Sequence, residues 1–270
     1  MSVGDSPPFF TRQPDGGFAP DWIARSPWRE GVQNGLAVGG LMAHIMLEAR
    51  PPEGMNIARF TMDILRPAPM ATTRAVWKTL RDGRRTIVME GVLLAGDDTE
   101  VARATALFVR RAVEGAPATR FPPPDIHPDD APREYMLPRG MGLESRLIQK
   151  GTPSTPQPKG RVWVRQDAPT VADGAMHPIV CAVQAADFAG SLSSGIDREK
   201  WLSPNVDIAI HFVRPPHQEW VLVESEALLL GNGAVTVEAQ LNDLDGLFAH
   251  SHVTLVTTAV SANEKRVKWP

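Results

Sequence analysis

Cysteine is nearly missing from this 270-residue chain, in which Cys181 stands alone. A lone cysteine excludes an internal disulfide framework and fits a reducing, cytoplasmic setting. Long apolar runs are missing too, and none approaches the roughly 20 residues of a membrane-spanning helix. The opening "MSVGDSPPFFTRQPDGG" lacks the basic start and apolar core of a signal peptide, so none is expected. Positive charge is not in excess. The formal net charge is −3, without the basic surplus of a nucleic-acid binder, and no nucleic acid partner is expected. Several catalytic motifs are also absent. "GSLSSG" at residues 190–195 has the wrong spacing for a Gly-x-Ser-x-Gly nucleophile elbow. There is no phosphate loop, dinucleotide fingerprint or zinc helix. Cys181 lies in an apolar run and reads as inert core. His250 and His252 alternate on one strand without a third ligand nearby, a poor zinc set. Neither a metal nor a cofactor is expected.

What the chain does have is a repeated strand ending. "FTMDILRPAP" at residues 60–69 and "DIAIHFVRPP" at 207–216 are alternating apolar runs that close on an Arg-Pro pair. Arg66 and Arg214 lie 148 residues apart. At that offset, residues 66–109 lie over 214–257 without a gap, with eight identities in 44 positions. Both copies run strand, Gly turn, strand, Asp turn, strand, the pattern of an antiparallel meander. "RDGR" carries the first turn, since glycine tolerates a positive φ. Upstream of each meander is an apolar stretch with helical character, "GGLMAHIMLEA" at 39–49 and "CAVQAADFAGSLSSG" at 181–195. A helix apolar nearly all round is a buried helix. His44 and Glu48 interrupt the first, four apart on one face, where they can pair. Each half is thus a strand, a buried helix and a curved antiparallel sheet. The boundaries fall at 1–113 and 161–270. Between them, residues 114–160 hold ten of the 25 prolines and read as an extended connector, with enough apolar content in "REYMLPRGMGLESRLI" for part of it to pack on the surface.

A helix wrapped by an antiparallel sheet, written twice in one chain, resembles the double-hotdog fold, an α+β architecture. "NGLAVGGLMA", "MDILRPAP" and "LRDGRR" resemble the acyl-CoA thioesterase branch of that fold. "AADF", "NVDIAIHFVRPPHQEW" and "DGLFAHSHVTLV" resemble the C-terminal half of the bacterial type II acyl-CoA thioesterases. The resemblance implies an acyl-CoA substrate, a role in lipid metabolism and hydrolysis without a covalent intermediate. Sheets of this kind are also expected to assemble into a homo-oligomer. The family positions its attacking water with an Asp, a Thr and a Gln. The Asp falls on Asp187, while Asn205 stands in the Thr position and Thr254 in the Gln position. The two departures keep a non-catalytic acyl-CoA or lipid-binding protein in view, and an enoyl-CoA hydratase-like hotdog is a third possibility.

Each candidate also has a plainer reading. Asp187 at a helix start is an ordinary N-cap, whereas the resemblance makes it the base that activates water. Gly39 and Gly40 precede the first helix in this reading. They either allow tight packing or leave helix-end N–H groups open to bind a thioester oxygen. Asn205 after Ser203-Pro204 is a turn residue or a site residue. Thr254 is an ordinary strand residue or part of the water site.

Overall fold

The computed structural model describes residues 6–49, 53–111, 119–132, 141–152, 158–197, 199–229 and 231–260. The first half opens with a small hairpin, β1 (Phe10–Arg12) and β2 (Phe18–Pro20), and a 3-10 turn at Trp22–Ala24. Helix α1 (Gly35–Glu48) follows, then β3 (Met55–Ile64), β4 (Arg74–Asp82), β5 (Thr86–Leu94) and β6 (Glu100–Arg110). The second half has β7 (Leu143–Gln149), β8 (Lys159–Gln166), α2 (Pro178–Ser193) and β9 (Trp201–Leu202). It ends with β10 (Asn205–Phe212), β11 (Val221–Leu229), β12 (Ala234–Asp243), β13 (Gly246–Val256) and β14 (Thr258–Ala259). The tandem α+β architecture expected from the duplication is the one observed.

Ten strands form one antiparallel sheet in the order β4-β5-β6-β3-β10-β13-β12-β11-β8-β7. Its strands alternate as a sheet with one covered face must. On β5, Ile87, Met89 and Leu93 are buried, and on β12 Val235, Val237, Ala239 and Leu241 are buried. α1 packs on β4, β5 and β6, α2 packs on β8 and β10–β13, and the two helices pack on each other. Burial of both helices follows from their composition. Every residue of α1 from Leu36 to Met46 is buried, His44 included.

The halves meet at one strand pair. On β3 and β10, Thr61 faces Ala209, its own counterpart 148 residues on. Met62 faces Ile208 and Phe60 faces Ile210, so each of these pairs is the other with the halves exchanged. An isologous dimer joins two copies this way. The four apolar residues are buried, which ties this register to the core.

The Arg-Pro endings have one backbone role. The N–H groups of Leu65 and Arg66 both donate to the Val101 carbonyl, and those of Val213 and Arg214 both donate to the Phe248 carbonyl. The strand ends there, because the next residue is a proline with no N–H to give.

Three expectations need correction. Leu143–Gln149, inside the stretch read as an extended connector, is the edge strand β7. Its Leu143 and Leu147 alternate with polar residues and are buried, and that pattern outweighs the proline density around it. Nearby, Trp163 donates to the Ile126 carbonyl at 3.1 Å, and Ile126 and Ala131 pack with Trp163 and Leu222 of the sheet and with Trp220. The turn glycine Gly83 does not have a positive φ; in the first copy Asp98 does, at 61°. In the second copy Gly231 and Gly233 do adopt it. Finally, α1 starts at Gly35, four residues before Gly39.

Candidate active site

Asp187 is the only charged residue of α2, "PIVCAVQAADFAGSLS", and lies well inside it. The N-cap is instead His177, whose Nδ1 accepts from Ile179 N at 3.1 Å, with Pro178 in the first turn, where proline is tolerated. The capping reading of Asp187 is therefore excluded. A carboxylate in this apolar setting is costly in its charged form. Burial pushes its pKa up to about 6, against an opposing pull from the Asn205 hydrogen bond.

Asn205 opens β10 at a bulge between Asn205 and Asp207. The bulge turns the side chain onto α2. Its Nδ2 donates to Asp187 Oδ1 at 2.8 Å and to the Asp187 backbone carbonyl at 2.9 Å. Both amide hydrogens are thus directed at Asp187. The amide oxygen rests on Gly190, where a Cβ would lie 2.7 Å from it, so α2 needs a glycine there.

The other half contributes the start of α1. Asn34 caps the helix, accepting from Ala37 N at 2.7 Å, and its Nδ2 holds the Arg25 carbonyl at 3.2 Å. Val38 N donates to the Asn34 carbonyl. That leaves the N–H groups of Gly35 and Leu36 without an acceptor inside the helix. A Cβ on Gly35 would lie 2.5 Å from Asp187 Oδ1, so the positive end of α1 sits directly against the carboxylate.

These groups line a cavity of about 530 Å³ between the halves. Ile23, Leu36, Met141 and Phe188 form buried apolar walls, and the exposed Arg29 and Arg66 line its outer part. The volume falls in the range of small-molecule sites.

Of the five residues singled out in the sequence, the structure brings Asp187 and Asn205 together. Gly39 and Gly40 do not join them. They lie within α1, where their N–H groups are inside the helical ladder, and they face α2. A Cβ on Gly39 would be 3.1 Å from Val183, and one on Gly40 would be 2.7 Å from Gln184 Nε2. Their role is the close approach of two helices. Thr254 does not join the site either. Leu255 is buried against Gly190, and successive strand residues face opposite sides, so Thr254 points away from α2. Its backbone N–H donates to Asp207 Oδ1 at 2.6 Å. Sequence reasoning missed Asn34, Gly35 and Leu36, although "QNGLA" carries an Asn immediately before an apolar helix, a recognisable N-cap signal.

The remaining titratable candidates take other roles. Burial pushes the Cys181 thiol up to about 12, which makes it a poor nucleophile at neutral pH. His44 Nε2 lies 3.3 Å from Glu48 Oε1, and Arg12 also holds Glu48. His250 and His252 are exposed on β13, and no cluster of three metal-ligating residues occurs among the described residues.

Comparison with known proteins agrees with this architecture. Residues 24–109 match the acyl-CoA thioesterase N-terminal domain and residues 113–257 the acyl-CoA thioesterase C-terminal domain. No curated protein matches the chain by sequence. The fold is similar to that of the acyl-CoA thioesterase II TesB2 of Mycobacterium marinum, at TM-score 0.65 and 18% identity, covering 84% of this chain and 91% of that one. It is also similar to a hot dog fold protein of unknown function from Alicyclobacillus acidocaldarius, at TM-score 0.70 and 18% identity, covering 91% and 93%. The tesB protein of Mycobacterium avium subs paratuberculosis superposes at TM-score 0.59 and 15% identity, covering 84% and 88%. With matches to both domains of one family across most of its length, this double hotdog belongs to the acyl-CoA thioesterases.

Proposed function

We propose that the chain hydrolyses acyl-CoA thioesters, with Asp187 as general base. The observation that carries this is the lone carboxylate of α2, its pKa pushed up to about 6, set against the open N–H groups at the start of α1. A base with a pKa near the working pH is effective in removing a proton from water. Asp187 takes a proton from water as the oxygen attacks the thioester carbonyl. Negative charge then builds on the carbonyl oxygen. The N–H groups of Gly35 and Leu36 are the donors placed to receive it. Collapse of the tetrahedral species breaks the C–S bond. The CoA sulfur leaves with the proton that Asp187 returns, and the acyl group leaves as a carboxylic acid. Asn205 holds the carboxylate in place; with both amide hydrogens on Asp187, it has none left for the water.

A second reading is acyl-CoA binding without turnover. It is favoured by the outward-facing Thr254, which leaves Asp187 as the site's main anchor for water. Hydration of an enoyl-CoA is less well supported, because no histidine is among the described residues lining the cavity. Release of free CoA from short, medium and long acyl-CoAs separates these readings. Hydrolysis by the native chain and its loss in Asp187→Asn is the expected result. CoA release by a folded Asp187→Asn protein at the native rate overturns the assignment, and binding without release favours the second reading.

A further inference from the structure

The duplicated Arg-Pro pairs share a backbone role but differ in how the arginine side chain is used. In the second half, Arg214 is neutralised. Its Nη1 and Nη2 reach the buried carboxylate of Asp243 at 2.7 and 2.5 Å, and Nη2 also holds the Gly246 carbonyl at 2.9 Å. In the first half, the position 148 residues before Asp243 is Ala95, which has no charge to offer. Arg66 accordingly has no ion pair among the described residues. A single hydrogen bond, Nη1 to the Glu100 carbonyl at 2.8 Å, fixes its side chain. The arginine without a carboxylate is also the one that lines the cavity; Arg214 does not. Arg29 lies on the same cavity, is exposed, and likewise has no carboxylate partner among the described residues. Two uncompensated guanidinium groups thus stand at the solvent side of a cavity whose far walls are apolar.

We propose that Arg29 and Arg66 form a phosphate-binding rim, so that the substrate enters with its phosphate-bearing end at the mouth and its acyl chain inward. Guanidinium groups match phosphate oxygens in shape and charge, and their hydrogen bonds are charge-assisted. Arg66 is partly preorganised by Glu100, which reduces the ordering cost of binding. This rests on the reading of the site as one for acyl thioesters, and it names the end of the substrate that the arginines recognise. The shared chemistry is a phosphate on a pantetheine arm, whether that arm ends in a nucleotide or in a carrier protein.

The test measures binding and not turnover, so its outcome stands apart from that of the hydrolysis assay. Pantetheine, 4′-phosphopantetheine and CoA are titrated calorimetrically into the native chain and into Arg29→Gln, Arg66→Gln and the double variant. Melting curves check that each variant folds. CoA binding is expected to weaken about tenfold in the double variant, while pantetheine binding stays the same. Raised salt should weaken CoA binding to the native chain more than to the double variant. A matching loss for 4′-phosphopantetheine places the contact on the phosphate common to CoA and carrier proteins. A loss confined to CoA places it on the nucleotide end. Either pattern upholds the rim. The proposal is overturned if CoA binds the double variant as tightly as the native chain, or if pantetheine binding falls equally.

Discussion

Asp187 is a residue whose charge opposes folding. Its carboxyl titrates near 6 in the folded chain, against about 3.9 when unfolded. A carboxyl with a raised folded-state pKa contributes stability below the unfolded value. That contribution is lost as pH rises from about 4 through 6. Asp187→Asn should therefore be more stable than the native chain at pH 7.5, by up to about 3 kcal/mol, with the gain vanishing near pH 4, as denaturation at the two pH values will show. The same substitution should lower thioester hydrolysis by roughly 10²–10⁴-fold. In the native chain, kcat/KM should fall as pH drops below about 6, following protonation of the base. Asn205 pulls the other way, since its hydrogen bond favours the charged form. Asn205→Ala should move the acid limb of the pH–rate profile upward, and an unmoved limb would show that the amide does not act on Asp187's ionisation.

At the scale of the element, the contact between α1 and α2 decides what its glycines can become. Gln184 is fully buried there, with neither amide atom hydrogen-bonded among the described residues, and its Nε2 occupies the space a Cβ on Gly40 would need. Gly40→Ala should cost about 1–3 kcal/mol through overpacking. In a Gln184→Ala background the same change should become stabilising, by up to about 1 kcal/mol, because alanine is the better helix former. Chemical denaturation of the four proteins completes the cycle. This contact also explains why the start of α1 was misread. Two adjacent glycines look like a turn when their neighbours are unknown, and only the partner helix reveals that they are inside a helix. Asp187 and Asn205 were legible through the motifs around them. Their contact was not, because it depends on the bulge at the start of β10. Thr254 is out of reach of sequence for a similar reason: a one-residue shift on a strand reverses the face, and β13 carries an extra residue, Phe248, where Ala249 pairs with Leu241 and Leu247 with Asn242. The offset of 148 was legible because the register of the halves depends on strand alternation alone, and the β3–β10 pairing keeps it.

At the scale of the whole molecule, one continuous sheet and a shared helix contact join the halves. Unfolding should be a single cooperative transition, with the calorimetric and van't Hoff enthalpies equal. Two resolved transitions would mean that each half is stable alone. The exchange of halves about Thr61 and Ala209 has a further consequence. It pairs Asp187 with Gly39, and the Asp187–Gly35 contact with that between Gly39 and Val183. In a dimer of identical chains, a carboxylate at this position would appear twice, and its solvation penalty would be doubled. Joined in one polypeptide, the copies carry it once. The arrangement has the outline of a two-fold assembly but a stoichiometry of one: a ligand that occupies the reacting position should saturate at a single equivalent per chain.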